Sequence, residues 1–310
     1  MRRQFLRARA AIRDTIKPAS DAVIGATAVG VLRATRYFDP DKTADVFASI
    51  IKTIGPLLRE HKIGRANLTA AFPEKTPEEI DRILMGVWDN LGRVAAEFAH
   101  LDHIWDLHPD NTESGRIEVA PGTTEKFERL RDDGKGALIF ASHLANWELP
   151  ALAGPVFGVE SAALFRRPNL AAVDRAIQQI RAVNMGTLIP TTHDAPVKLA
   201  HALEAGTHVG MLVDQYFHRG VDVTFFGRTT KANPLLARLA RQVDVPIYGV
   251  RVVRLSNRRF RGEISDEIKP VRDVNGKIDI QGTTQAITSV IEGWVREPPE
   301  QWLWLHRRWR

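Results

Sequence analysis

Between Gly136 and Gln215 the chain switches repeatedly between short apolar runs and longer amphipathic ones, and this alternation restricts its fold more than any other feature. "KGALIFAS", "SAALFRR", "GTLIP" and "HVGMLVDQ" read as strands, while "WELPALAG", "LAAVDRAIQQIRAV" and "APVKLAHALEAG" read as the helices between them. Strands separated by helices pair in parallel through crossovers. Such sheets collect their functional groups just beyond the carboxyl ends of the strands. After "PLLARLARQV" and the strand "PIYGVRVVRL", the residues around "NRRFRGEI" predict an antiparallel hairpin, then a closing helix and the tail "PEQWLWLHRRWR". The predicted fold class is α/β: a mixed, mostly parallel central sheet flanked by helices, preceded by a helical segment.

That helical segment runs from Asp41 to about Ile104, with apolar residues at helical spacing in "TADVFASIIKTIGPLL" and "TPEEIDRILMGVWDNLGRVAAEFAHL". Thr76, Pro77 and Glu79 supply a cap, a proline at the first helical position and an acid in the first turn. "HPDNTESG" reads as a polar loop before the first strand, "RIEVA". The organisation expected is a basic, weakly apolar segment over 1–40, then a single domain over 41–310 made of a helical cap (41–110) and an α/β core (115–310). The amino end carries six basic residues up to Lys17 and an uncharged run of eleven, Ala22 to Leu32. A spanning helix needs about 20 apolar residues, so the run predicts a helix lying on a membrane surface or an ordinary amphipathic helix of the fold.

Composition enters through two facts. No cysteine occurs, which excludes disulfides, thiolate metal sites and a cysteine nucleophile. A formal net charge of +6 favours anionic partners such as phospholipid, phosphosugar or nucleic acid. No recognisable nucleic-acid module accompanies the charge, and nucleic acid is not expected as a partner.

The stretch "GALIFASHLANWELPALAG" places His143 and Glu148 close behind the first core strand. On one regular helix, five residues turn through about 500°, and the two side chains would point apart. Pro150 removes that difficulty, because proline is tolerated in a helix's first turn, which sets the helix start near Asn146, a favoured cap residue. His143 then lies in the turn and Glu148 on the first helical turn, where the carboxylate can fold back onto the imidazole and raise its basicity. With no "GxSxG" elbow, the simplest chemistry lets His143 take a proton from a substrate hydroxyl that attacks an activated acyl carbon. A metal reading needs a third ligand. His193, His201 and His208 are available, but nothing like "HExxH" occurs, and no metal is expected. Asp214 and Gln215 end the strand "HVGMLVDQ" and emerge at the same sheet edge as His143 if the strands are parallel.

Five stretches in order resemble the lipid A biosynthesis late acyltransferases, the lauroyl/myristoyl transferases with a glycerolipid-acyltransferase-like fold: "RANLTAAFPEKTPEEIDRI", "SHLANWEL", "FRRPN", "VDQYFHRGVDVTFFG" and "PEQWLWLHRRWR". The resemblance implies a fatty acyl transfer from acyl carrier protein to a hydroxyl of a lipid A precursor, at the cytoplasmic face of the inner membrane, with no cofactor. It makes His143 the base and Glu148 its partner. Arg166 or Arg167 becomes a phosphate or oxyanion ligand, and Arg181 the arginine of "RxxN", Arg181 to Asn184. Asp214, with Gln215 beside it in the same box, would hold an arginine or the acceptor sugar, and "VTFFG" would wall an acyl tunnel.

The tail alternates Trp302, Trp304 and Trp309 with Arg307, Arg308 and Arg310, a composition expected at an anionic bilayer interface. The amino end departs from the family's usual hydrophobic anchor, which favours peripheral or monotopic attachment. Two other readings stay open from the residues: acyl-CoA-dependent acylation of a phosphatidylinositol mannoside or another glycolipid, and a non-catalytic membrane lipid-binding protein.

Overall fold

The computed structural model describes residues 20–107 and 115–310; the basic residues up to Lys17 and most of the predicted polar loop lie outside the described residues. In chain order, helix α1 covers 20–35, followed by α2 (Pro40–Ile54), α3 (Arg59–Ala71), α4 (Pro77–Glu97), α5 (Leu101–Ile104), strand β1 (Ile117–Val119), α6 (Thr123–Asp132) and β2 (Leu138–Ala141). Then come α7 (Leu149–Val156), β3 (Ser161–Phe165), α8 (Ala171–Asn184), β4 (Thr187–Pro190), α9 (Ala195–Glu204) and β5 (His208–Leu212). The chain closes with β6 (Val221–Phe225), β7 (Arg228–Ala232), α10 (Leu235–Val243), β8 (Ile247–Arg254), β9 (Phe260–Ile264) and α11 (Ile280–Arg296).

A seven-stranded sheet in the order β1-β9-β8-β2-β5-β3-β4 forms the centre. β8, β2, β5, β3 and β4 are mutually parallel, while β9 runs antiparallel to β8 and carries β1 parallel to itself. The mixed, mostly parallel sheet and its hairpin at β8–β9 are those read from the sequence. Crossover helices account for the parallel order, since each must return the chain to the starting edge before the next strand. The cap of α4 also matches: Glu79 N donates to Thr76 Oγ1, and Thr76 N donates to Glu79 Oε2 at 2.8 Å. α2 crosses α4 at Gly92, where a Cβ would stand 2.6 Å from the Ala48 Cα, so only glycine allows the two helices to approach this closely.

A separate antiparallel ribbon, β6 with β7, was not anticipated. Its turn places Phe226 (φ 52°) and Gly227 (φ 68°) in the left-handed region. A phenylalanine there gives no turn signal in a sequence. Packing compensates the strain: the Phe226 ring lies 5.1 Å from Phe72 and 5.7 Å from Trp304, centroid to centroid. Phe225 and Phe226 are buried core residues that do not line the cavity described below, so the tunnel-wall role expected of "VTFFG" is corrected to a core role.

The tail requires the largest correction. Trp304 is 0% exposed and Trp302 and Arg308 are also buried, so the tryptophan-bearing part of the tail is interior and not a bilayer-facing surface, while Arg307 and Arg310 remain exposed. It threads between the helical segment and the sheet. Asn67 Nδ2 donates to the Trp304 carbonyl at 2.7 Å, Leu303 N donates to the His143 carbonyl at 3.0 Å, and Ala145 N donates to the Gln301 carbonyl at 2.9 Å. Leu68, Phe72 and Leu84 of the helices, Phe140 and Met211 of the sheet and Trp302 and Trp304 of the tail share one apolar cluster. The uninterrupted apolar run Trp302–Leu305 carries the energetic reason, because four successive large apolar side chains are stabilised by removal from water. Trp304→Ala is expected to cost about 3–5 kcal/mol, the range for truncating a buried aromatic. An unfolding free energy from urea titration lowered by less than about 0.5 kcal/mol, as for a surface site, would contradict this placement.

Candidate active site

β2 and β5 are parallel neighbours in register, Ala141 beside Leu212, so the residues that follow each strand emerge side by side. His143 and Asp214 occupy those places. His143 Nδ1 lies 2.8 Å from Asp214 Oδ1, and the His143 backbone N–H donates to Asp214 Oδ2 at 2.8 Å. Trp302 Nε1 donates to the same Oδ2 at 2.8 Å. Because an ionised carboxylate only accepts, Nδ1 carries the proton and the neutral ring keeps its lone pair on Nε2.

Burial opposes charge on both partners, and their attraction outweighs it. Desolvation alone would lower the His143 pKa, but the Asp214 carboxylate, helped through space by Glu148, holds it above the ordinary histidine value. Asp214 is likewise penalised by burial and is kept below the usual carboxylate range by His143 and by the donated hydrogen bonds.

The carboxylate on the imidazole is therefore Asp214, not Glu148, and this corrects both the expected partner of His143 and the expected role of Asp214. Glu148 sits at the cap of α7 with its side chain turned to α8, where Arg181 Nε and Nη2 donate to its two oxygens at 2.8 and 2.6 Å. The physical reason is charge matching: a buried carboxylate takes a bidentate guanidinium in preference to a neutral imidazole already bound elsewhere. Asn146 does assist the helix start, since its Oδ1 accepts from Glu148 N at 3.1 Å.

A second set of contacts fixes the loop that bears His143. Ala145 has φ 48°, a conformation alanine seldom adopts, and the surroundings over-determine it. Asn90 Nδ2 donates to the Ala145 carbonyl at 3.0 Å and to the Gln301 carbonyl at 3.1 Å. Asn146 Nδ2 donates to Glu97 Oε2 at 2.9 Å, and Arg254 pairs with the same carboxylate. None of Asn90, Glu97 or Arg254 is close in sequence to His143, and no local pattern signals them.

An apolar cavity of about 480 Å³ opens beside the imidazole. His143, Glu148, Arg166, Arg181, Gln215 and His306 line it together with Ile139, Ala163, Met211 and Val250, so polar groups gather around His143 over an otherwise hydrocarbon wall. Arg166 and Arg167 are both exposed, and only Arg166 lines the cavity. Arg181 is placed over the rings of Phe98 and Phe165. Gln215 Nε2 stands 3.3 Å from His143 Nε2 and 3.2 Å from His306 Nε2. His306 was missed as a site residue because the tail was read as a membrane surface; its place between two buried tryptophans and Arg308 is a product of the tertiary fold. Among the described residues no group of three or more His, Asp or Glu side chains is arranged to hold a metal ion.

A carboxylate-held imidazole at the rim of an apolar cavity has the geometry that proton abstraction from a hydroxyl beside a hydrocarbon group requires. Residues 20–310 match the family described as bacterial lipid A biosynthesis acyltransferase, and the chain belongs to that family. No curated protein matches the chain.

The geometry predicts a measurable titration. In an NMR titration the His143 ring is expected to titrate above the ordinary histidine value of 6.5. In Asp214→Asn it is expected to fall below the wild-type value, because an amide cannot stabilise the imidazolium while burial continues to oppose it. An unchanged value in that variant would show that Asp214 does not set the basicity.

Proposed function

We propose that the chain transfers a fatty acyl group from acyl carrier protein to a hydroxyl of a lipid A precursor, with His143 as general base and Asp214 as its orienting partner. One observation carries this reading: an Asp214-held imidazole, its Nε2 touched only by the Gln215 amide at 3.3 Å among the described residues, lines an apolar cavity large enough for an acyl chain. The acceptor hydroxyl binds at Nε2 and loses its proton to it as the oxygen attacks the thioester carbonyl. Collapse of the tetrahedral species forms the new ester and expels the thiolate, which recovers the proton from the imidazolium. No acyl-enzyme is needed. The chain has no cysteine, and the Ser142 hydroxyl is buried without a hydrogen-bond partner, hence not held by His143 as a nucleophile would be.

Arg181, fixed by Glu148, and Arg166 at the rim supply cationic charge for anionic groups of the substrates. Exposed Arg167 adds to that charge. Attachment to a membrane surface, proposed to be the cytoplasmic face of the inner membrane, is supported by apolar side chains that the fold leaves in water, which favour a lipid surface without selecting the face. Val23, Ile24 and Val31 on α1 and Val46, Ile50 and Ile54 on α2 are exposed, the last three at helical i, i+4, i+8 spacing. Among the described residues no helix is long and apolar enough to cross a membrane. These helices replace the tryptophans as the lipid-facing elements of the proposal.

Purified protein incubated with acyl carrier protein-bound or CoA-bound fatty acid, and with lipid A precursor or phosphatidylinositol mannoside, is expected to yield acylated lipid A precursor by mass spectrometry. Transfer only from acyl-CoA to the mannoside would overturn the assignment. His143→Ala is expected to lower the rate at least about a hundredfold.

The rate should fall as pH drops through the raised His143 pKa, since protonation removes the base. Asp214→Asn should move that acidic limb downward while lowering the plateau. Glu148→Gln should move it less, because Glu148 acts on the ring only through space.

A further inference from the structure

The contact between Gln215 and the two imidazoles has a chemical content beyond substrate binding. His143 Nδ1 points its hydrogen at Asp214, so the neutral ring presents a lone pair at Nε2. A side-chain amide facing that lone pair must do so with its nitrogen, which carries two hydrogens. One N–H is directed to His143 Nε2 at 3.3 Å and the other to His306 Nε2 at 3.2 Å. His306 therefore also offers a lone pair at Nε2, and partial desolvation with the neighbouring His143 charge keeps it from protonating at its ordinary value. The rings meet edge to face with centroids 6.5 Å apart, a spacing that one carboxamide nitrogen bridges.

The two bonds have different fates in the reaction. The His143 lone pair is the group the substrate hydroxyl must reach, so the longer Gln215 contact is displaced when an acceptor binds. Once His143 has taken the proton, Nε2–H and the amide N–H are both donors, and the contact becomes repulsive. The His306 contact is unaffected by that change. Gln215 is thus retained by His306 with one N–H released beside the carbonyl under attack, at the moment negative charge develops on the carbonyl oxygen.

Resting on the acyl-transfer reading above, we infer that Gln215 is an oxyanion donor for the tetrahedral intermediate and that His306 is the positioning residue that holds its amide in place. In the balanced step, the acceptor oxygen forms the C–O bond and its proton passes to His143 Nε2. The carbonyl π pair moves to oxygen, which accepts a hydrogen bond from Gln215 Nε2. When the C–S bond breaks, that pair returns and the thiolate takes the proton from His143.

The prediction is a coupled pair. Gln215→Leu should lower kcat on the order of 10²- to 10³-fold, as for loss of one oxyanion donor, with KM changed by less than about twofold, the mark of an interaction made only in the transition state. His306→Leu should lower kcat about tenfold or more, and the double variant should be no slower than Gln215→Leu alone, since two residues acting through one contact are not additive. His306→Gln, which keeps an acceptor, should recover most of the loss. Additive effects, or a change confined to KM, would overturn the inference.

A readout independent of turnover separates this from failure of the acyl-transfer reading. Imidazole ¹⁵N shifts should show both rings as Nδ1–H tautomers accepting at Nε2, with both Nε2 signals moving in Gln215→Leu. If the shifts behave so and no acyl transfer is found with any donor, the bridge stands and the function falls. If transfer proceeds but neither Nε2 signal moves, the bridge falls and the function stands.

Discussion

Much of this structure depends on one buried carboxylate. Asp214 accepts from the His143 backbone, the His143 ring and the Trp302 indole, three donors from two segments far apart in the chain. A charge with almost no solvent contact is tolerable only when fully hydrogen-bonded, and meeting that demand pins the β2 loop and the carboxyl-terminal tail to the end of β5. The same contacts that make the charge tolerable orient the imidazole and raise its basicity. Stability and the basicity of His143 therefore share their atoms here.

Around that point the chain builds two supports of different chemistry. One is apolar: the tail tryptophans lie between the helical segment and the sheet and join them into one core. The other is polar: Asn90 and Gln301 bond the backbone of the loop at Ala145, while Glu97, paired with Arg254, holds the Asn146 side chain, and between them an alanine is kept at positive φ beside His143. The Glu148–Arg181 pair belongs to the cavity wall, where it fixes a cation rather than a base.

The order of strands and helices was legible because each apolar run fits one period and each is separated by its own turn chemistry. His143, Asp214 and Gln215 were legible as neighbours because they follow strands that parallel pairing brings to one edge. The pairing of Glu148 was not. Spacing along a chain states which side chains could meet, while a buried acid selects among candidates by charge, and Arg181 is 33 residues away. The tail was misread for a related reason: tryptophan and arginine serve equally at a bilayer and in a core, and only the surrounding surface tells them apart. The ribbon β6–β7 turned on a phenylalanine whose strain is offset by rings from distant segments.

The sequence by itself determined the α/β architecture, the absence of cysteine and the sheet edge at which His143, Asp214 and Gln215 meet, since these rest on local periodicity, residue type and the topology of parallel strands. Tertiary structure decided which carboxylate serves His143, that the tail tryptophans are interior, and that His306 and Gln215 share the rim of the cavity. Those outcomes are set by competition among distant groups for hydrogen bonds, charge and burial, and that competition is resolved only when the chain has folded.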